Sequence, residues 1–285
     1  VAQRYASIWV APTMVALDSG RIDPPIYRKR FLPMLKSVVV HDIPISHVAA
    51  MERWYWRDHG PEINRRFGPW LTRHESFLPV DAPADARGFG YFNWRVTEGF
   101  WREMPLPGAR GNFAFTCPPV WPRVATGFFP AQPTEDFFGG TLQPHERQVL
   151  RWYCLHRYPD GVDERDGERW FLDTLAAQLQ RAGGPYRAFS SRAHREPLPL
   201  PGEWPPTSAP PKDALMHDWH RLTELWFETF DDWRNFVREL VPSLTPPPWA
   251  TVPRFPFVAS GTDFVSSFLL ERPNDEFSRD SRGYL

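Results

Sequence analysis

Cysteine is scarce in this chain, with two in 285 residues, and Cys117 and Cys154 lack the spacing of a metal-ligand pair. A disulfide-built scaffold and a cysteine-ligated zinc site are therefore excluded, and a reducing cytoplasm is the expected compartment. Net charge is equally scarce. A formal charge of -1 provides no overall field for nucleic acid or an anionic membrane, and the basic run Arg28-Lys29-Arg30 is short enough to be a solvated patch. No apolar run follows a basic start, so no secretion signal is expected. Gly88-Phe89-Gly90 is an isolated fragment without the strand-turn-helix setting of a phosphate cradle. Nucleophile-elbow and zinc-protease motifs are missing too.

Proline and aromatic residues are abundant instead. The 33 prolines and 14 tryptophans depart furthest from average usage. Prolines cluster at 105–133, 197–211 and 242–256, interleaved with large aromatics that would be costly to leave in water, so these stretches are expected to be ordered loops wrapping the domains. With 42% hydrophobic and 24% charged residues, the chain is long enough for two cores of roughly 100 to 150 residues each.

The chain also repeats itself. Glu52-Arg53-Trp54-Tyr55 returns as Glu168-Arg169-Trp170-Phe171, and Gly68-Pro69-Trp70 as Gly184-Pro185-Tyr186. Arg95-Val96-Thr97-Glu98 is echoed by Arg221-Leu222-Thr223-Glu224, and Val40-His41-Asp42-Ile43-Pro44 by Leu155-His156-Arg157-Tyr158-Pro159. Phe128, Pro133 and Phe137 keep one offset from Phe268, Pro273 and Phe277. Two long copies in one order indicate a pair of similar domains rather than a solenoid of short repeats.

Residues 1–33 read as an irregular arm, 34–145 as a first domain, and 146–285 as a second that carries the proline-rich loop 197–211. In the first domain a strand is expected at 36–43. A helix follows from His47, capped by Ser46 and ended near His59 by Gly60-Pro61, and further strands lie at 70–79 and 89–101. In the second, strand 149–158 leads into a helix over 163–181 with Asp163 as N-cap and Gly183-Gly184 as terminator. Strands at 186–194 and 217–227, a helix over 231–240 and a strand at 263–270 complete the pattern. This is the β-α-β-β-α-β plan of a ferredoxin-like fold, and in the first copy residues 105–122 stand where the second helix would be. The fold class is thus α+β, with two tandem ferredoxin-like domains packed as an intrachain, pseudo-twofold α+β barrel and a ligand cavity between sheet and helices.

At Trp54-Tyr55-Trp56-Arg57-Asp58-His59-Gly60-Pro61 the sequence resembles the EthD-type members of the dimeric α+β barrel superfamily, whose first helix ends in an aromatic-rich turn followed by His, a small residue and Pro. The resemblance covers about sixty residues of the first copy. It implies a pocket for a small aromatic or polyketide-like carbonyl compound and cofactor-independent lyase or isomerase chemistry. The alternatives to it are a haem enzyme of the aldoxime dehydratase or peroxidase type, as runner-up, and a binding protein without catalysis.

His59 is the leading candidate acid–base, because imidazole titrates near neutrality and its counterpart in the second copy is Leu175. Arg95, His41 and Tyr55 are the candidate oxyanion partners. Trp54, Asp58, Trp94, His156, Arg221 and His220 are candidate substrate-binding residues. If the sheet face carrying His41 and His156 lines the cavity, the two approach each other across the pseudo-twofold. An Arg95–Glu98 pair within the strand is the structural alternative for Arg95. His217 and His220 would face opposite sides of a strand without a completing carboxylate or cysteine, so no metal is expected; His217, His220 or His156 is the axial candidate should haem be bound. Besides the small-molecule substrate, neither nucleic acid nor membrane is an expected partner, and homodimerisation is left open.

Overall fold

The computed structural model describes residues 34–102, 116–139, 149–194, 215–216, 219–270 and 275–279. The expected arm at 1–33, the loop at 197–211 and His217 lie outside them. In chain order, β1 (Leu35–Asp42) leads through a short 3₁₀ turn into α1 (Val48–Trp54), a π-turn (Tyr55–His59) and α2 (Gly60–Phe67). Next come β2 (Leu71–Phe77), β3 (Arg95–Trp101), β4 (Arg123–Pro130) and the short β5 (Glu135–Phe138). The second half runs β6 (Leu150–His156), α3 (Glu164–Arg169), a π-segment (Trp170–Ala176), α4 (Ala177–Ala182) and β7 (Arg187–Arg192). It continues with β8 (Leu215–Met216), β9 (Arg221–Phe227), α5 (Phe230–Asn235) with its π-extension Phe236–Leu240, β10 (Phe264–Leu270) and β11 (Asp275–Arg279).

The architecture is α+β, as expected, with two sheets. The first has the order β11-β2-β3-β1-β4-β8 and the second β10-β6-β9-β7-β5; every pairing is antiparallel except β4 with β8. With β5, β8 and β11 set aside and the remaining strands counted within each half, both sheets share the order fourth, first, third, second, and the registers agree as well. His41 stands opposite Arg95 as His156 stands opposite Arg221, and Ser37 faces Phe128 as Trp152 faces Phe268. Each half also lends chain to the other sheet, the first half β5 and the second half β11 together with the short β8 beside β4. β5 joins β7 with Glu135 opposite Ser190, and β11 joins β2 with Asp275 opposite Ser76. Sheet membership therefore does not follow a cut after residue 145. The sequence reading had no strand at β4, β5 or β11, which are short or bounded by proline-rich chain.

Alternation along the strands divides the core. Val38, Val40, Val96, Ala125 and Phe129 of the first sheet pack with Tyr153, Leu155, Leu222, Val265 and Leu269 of the second, so the two sheets bury one face of each other. Charges are buried in the same layer. Lys36 meets Glu98 at 3.1 Å, Tyr153 donates to Glu98 at 2.6 Å, and Arg151 meets Glu224 at 2.8 Å. Burial pushes the Glu98 carboxyl upward, but the charges of Lys36 and Arg151 and the tyrosine hydrogen bond outweigh it and leave the group below its ordinary range. The outer faces bury the helices: Met51, Trp54 and Tyr55 lie on Ile43 and Trp94, while Phe171, Leu175, Trp233 and Phe236 lie on Trp152 and Leu225.

Helix ends in the second half follow local chemistry. Asp163 accepts from the Arg165 N–H, Gly183 closes the helix at φ 75°, and Thr229 with Asp232 forms a capping box. The first half departs from expectation. Ser46 does not cap; its hydroxyl lies 3.2 Å from the ring of the neighbouring His47. Gly60-Pro61 does not end the helix, which continues to Phe67. Proline has no N–H for the carbonyl one regular turn back and would clash with it. The preceding π-turn shifts the bonding so that the Gly60 N–H reaches the Tyr55 carbonyl, and the helix passes the proline unbroken. The strand expected from residue 89 begins at Arg95, and the one expected from 217 becomes β9 at Arg221; residues 84–89 form a 3₁₀ turn instead.

Candidate functional site

Because the helix continues, His59 sits inside it rather than at its end, and its side chain packs among aromatic rings. The imidazole stacks on Trp54 with centroids 4.6 Å apart and 25° between planes, and lies 5.5 Å from the Tyr55 ring. Trp54 is fixed in turn by its indole N–H, which donates to the Thr116 carbonyl at 2.9 Å. Thr116 is held by Glu62 on the same helix, which accepts from its hydroxyl at 2.7 Å and from its N–H at 3.1 Å. Helix, π-turn and the chain at Thr116 thus frame one ring.

The sheet below supplies Arg95, whose side chain is wholly buried. Its guanidinium donates to Glu52 at 2.5 Å and to the Ser76 hydroxyl at 2.6 Å, and lies 4.1 Å from the centre of the Tyr55 ring. Glu52 also accepts from the Trp94 indole at 2.8 Å, and the Tyr55 hydroxyl lies 3.2 Å from that of Thr97. His41 places Nδ1 3.3 Å from the Arg95 carbonyl and meets Trp94 edge-on. The Arg95–Glu98 pair does not form. Neighbours on a strand alternate in direction, so Arg95 turns to the helix and Glu98 to the other sheet.

Electrostatics make this face a cluster of neutral histidines. Burial lowers the His59 pKa to about 3, helped by the positive character of His41, His74, Arg95 and Arg66. Burial likewise lowers His41 and His74 to about 4; the Arg95 carbonyl beside Nδ1 opposes the shift at His41, while the Arg95 charge lowers both rings. At neutral pH these rings are uncharged hydrogen-bonding groups. Among the described residues, an open groove on the surface of the first helix and its π-turn is lined by Glu52, Arg53, Trp56 and Arg57.

The expected site residues divide into two groups. His59, Arg95, His41, Tyr55, Trp54 and Trp94 converge on the first sheet's outer face. Asp58 does not join them, because its carboxylate turns outward to Arg57 at 2.8 Å. His156, Arg221 and His220 form the matching arrangement on the second sheet. Arg221 binds Glu168 at 2.6 Å, Glu135 at 3.0 Å and Ser190 at 3.1 Å, and lies 4.0 Å from the centre of the Phe171 ring. His41 and His156 therefore do not approach each other; each faces its own helix, because the faces that bring the sheets together belong to the residues between them.

Three participants escaped the sequence reading. Glu52 was visible as the first residue of the repeated motif, but its partner on the sheet was not. His74 lies on β2 opposite Gly99, at the position equivalent to Ala188, and nothing in its local sequence marks it. Glu62 lies beyond the proline at which the helix was expected to stop.

Among the described residues no group of three or more His, Cys, Asp or Glu side chains could hold a metal ion. His156 and His220 do not fit as axial haem ligands. His156 has Nε2 3.0 Å from the Thr223 hydroxyl and is stacked on Phe171. His220 accepts the Tyr158 N–H through Nδ1 at 3.1 Å, and its Nε2 lies 4.0 Å from Glu164. No helix among the described residues is long and apolar enough to cross a membrane.

Residues 32–117 match the family model described as chalcone isomerase N-terminal domain. The match spans β1, the whole first helix, β2 and β3, and ends beside Thr116. It names that domain rather than an EthD-type one. No curated protein matches the chain.

Proposed function

We propose that the chain is a cofactor-independent isomerase or lyase acting on a small aromatic or polyketide-like carbonyl compound at the His59 cluster. The observation that carries this reading is a difference between two otherwise equivalent faces. Both keep a buried arginine on a helix glutamate, a serine and an aromatic ring. The first adds His59 and His74 where the second has Leu175 and Ala188, and the first is the face covered by the isomerase-domain match. The matched registers and the reciprocal exchange of β5 and β11 support the accompanying proposals: two tandem ferredoxin-like domains, closed as an α+β barrel of the broad kind to which EthD-type proteins belong.

In this reading His59 moves a proton next to the substrate carbonyl, while Arg95, with Tyr55 or His41, stabilises the oxyanion that results. Burial leaves the free imidazole a weak base. The negative charge that develops on the carbonyl oxygen as the proton leaves would raise the imidazole pKa towards neutrality, so the histidine gains basicity during the transfer itself. Trp54 and Trp94 provide flat apolar walls, and Asp58 has no direct part. The partner is a small molecule, and two free cysteines, one exposed and one buried, suit a reducing cytoplasm.

Turnover of a chalcone by the purified protein tests the proposal. His59→Leu, which installs the second half's residue, is expected to lower kcat by about 10²-fold or more. Full turnover in that variant would remove His59 from the mechanism. The depressed pKa values specifically favour a second reading, a small-molecule binding protein without catalysis. Wild-type protein that binds the chalcone and leaves it unchanged would establish that reading instead.

A further inference from the structure

The two buried arginines hold their carboxylates differently. In the second half Glu168 is fastened by Arg221 at 2.6 and 2.8 Å, by the Tyr158 hydroxyl at 2.7 Å and by Arg192 at 2.7 Å, with its side chain 12% exposed. In the first half Glu52 is held by Arg95 and the Trp94 indole, is 26% exposed, and forms part of the wall of the open groove. The rest of that wall is Arg53, Trp56 and Arg57. Trp56 is 48% exposed, an unusual setting for an indole, and the Arg57 side chain is 78% exposed. Glu52 thus separates a groove with an aromatic plate and the Arg53 cation at its edge from a buried guanidinium.

We propose that Glu52 is an exchangeable counter-anion for Arg95, and that the groove admits a planar aromatic ligand whose ionised oxygen, phenolate or carboxylate, replaces the Glu52 carboxylate on Arg95 and the Trp94 indole. The inference deepens the proposed function by naming a substrate class, and it rests on the same site but not on any reaction there. A buried guanidinium requires an anion, and a ligand oxyanion meets that requirement as well as Glu52 does. The ring lies against Trp56 while Arg53 attracts the charge; Arg57 is already paired with Asp58. Glu52, once released, lies at the surface within the groove wall. Glu168, held by four donor contacts, has no such freedom, and this confines exchange to the first half.

Calorimetric titration with benzoate, and with uncharged benzamide as its isostere, tests the exchange. Benzoate is expected to bind the wild type. It should bind Glu52→Gln at least about tenfold more tightly, because the competing anion is gone, and benzamide should gain nothing. Glu168→Gln should leave benzoate affinity unchanged. Trp56→Ala, at a position about half exposed, should weaken benzoate binding several-fold and keeps the test intact should Glu52→Gln fail to fold. No benzoate binding to the wild type or to Glu52→Gln, an equal gain for benzamide, or benzoate binding indifferent to Trp56→Ala would overturn the proposal. Binding is read without turnover, so a catalytically silent protein that shows this pattern refutes the isomerase reading and leaves the exchange standing.

Discussion

The imidazole of His59 lies stacked on the indole of Trp54 although the two stand five positions apart in the helix. In a regular α-helix, residues three or four apart share a face, and residues five apart do not. The π-turn at Tyr55–His59 widens the helix locally and brings the pair into register, as Gly60-Pro61 requires if the helix is to continue. Local backbone accommodation thus sets the geometry of the candidate site.

Removing the indole should expose the imidazole. Because burial is the leading cause of the low His59 pKa, Trp54→Ala is expected to raise it from about 3 towards the ordinary 6.5. Titration of the His59 ring signals by NMR measures this directly, and an unmoved pKa would show that Trp54 does not shield the ring.

Acid should weaken the fold through the same cluster. His59 titrates at about 3 in the folded chain and His41 and His74 at about 4, against 6.5 for an unconstrained histidine. Between those values the unfolded chain binds more protons than the folded one. The stability held in these neutral rings is therefore complete above about pH 6.5 and is lost as pH falls through 4 towards 3. Urea unfolding should show a lower midpoint at pH 4.5 than at pH 7, and the double variant His59→Leu/His74→Ala should narrow the gap.

Arg221 is expected to be structural. Arg221→Met would leave Glu168 and Glu135 facing a buried apolar side chain, which should cost about 3–5 kcal/mol of stability. Chemical denaturation measures the loss, and a change below about 1 kcal/mol would place these carboxylates effectively in solvent.

Glu62 should act as the clasp of the first helix on the chain at Thr116. Glu62→Ala removes both acceptors and is expected to cost about 1–3 kcal/mol. Faster amide exchange at Thr116 should accompany it, whereas unchanged protection there would show that the Trp54 indole alone holds the segment.

Much of the scaffold was legible in the chain. The repeat placed β1, β2, β6, β7 and β10 within a few residues, because alternating apolar positions and flanking prolines and glycines are local signals. The repeated motif contained Glu52 and Glu168, but nothing local pointed to the buried arginines that they pair with. The cap at Asp163 and the stop at Gly183 were equally local and equally readable.

The sequence by itself determined the α+β class, the repetition of the echoed segments in one order, and the break between His59 and Leu175, since composition, periodicity and repetition are properties of the chain alone. Tertiary structure decided which face each residue serves. It exchanged β5 and β11 between the sheets, parted His41 from His156, and carried the helix past Pro61 so that Glu62 could reach Thr116. It also brought His74 of β2 within electrostatic reach of Arg95 of β3. Hydrogen-bond registers and burial arise from contacts between segments distant in sequence, and those contacts, not the residue types, give the three histidines their low pKa values.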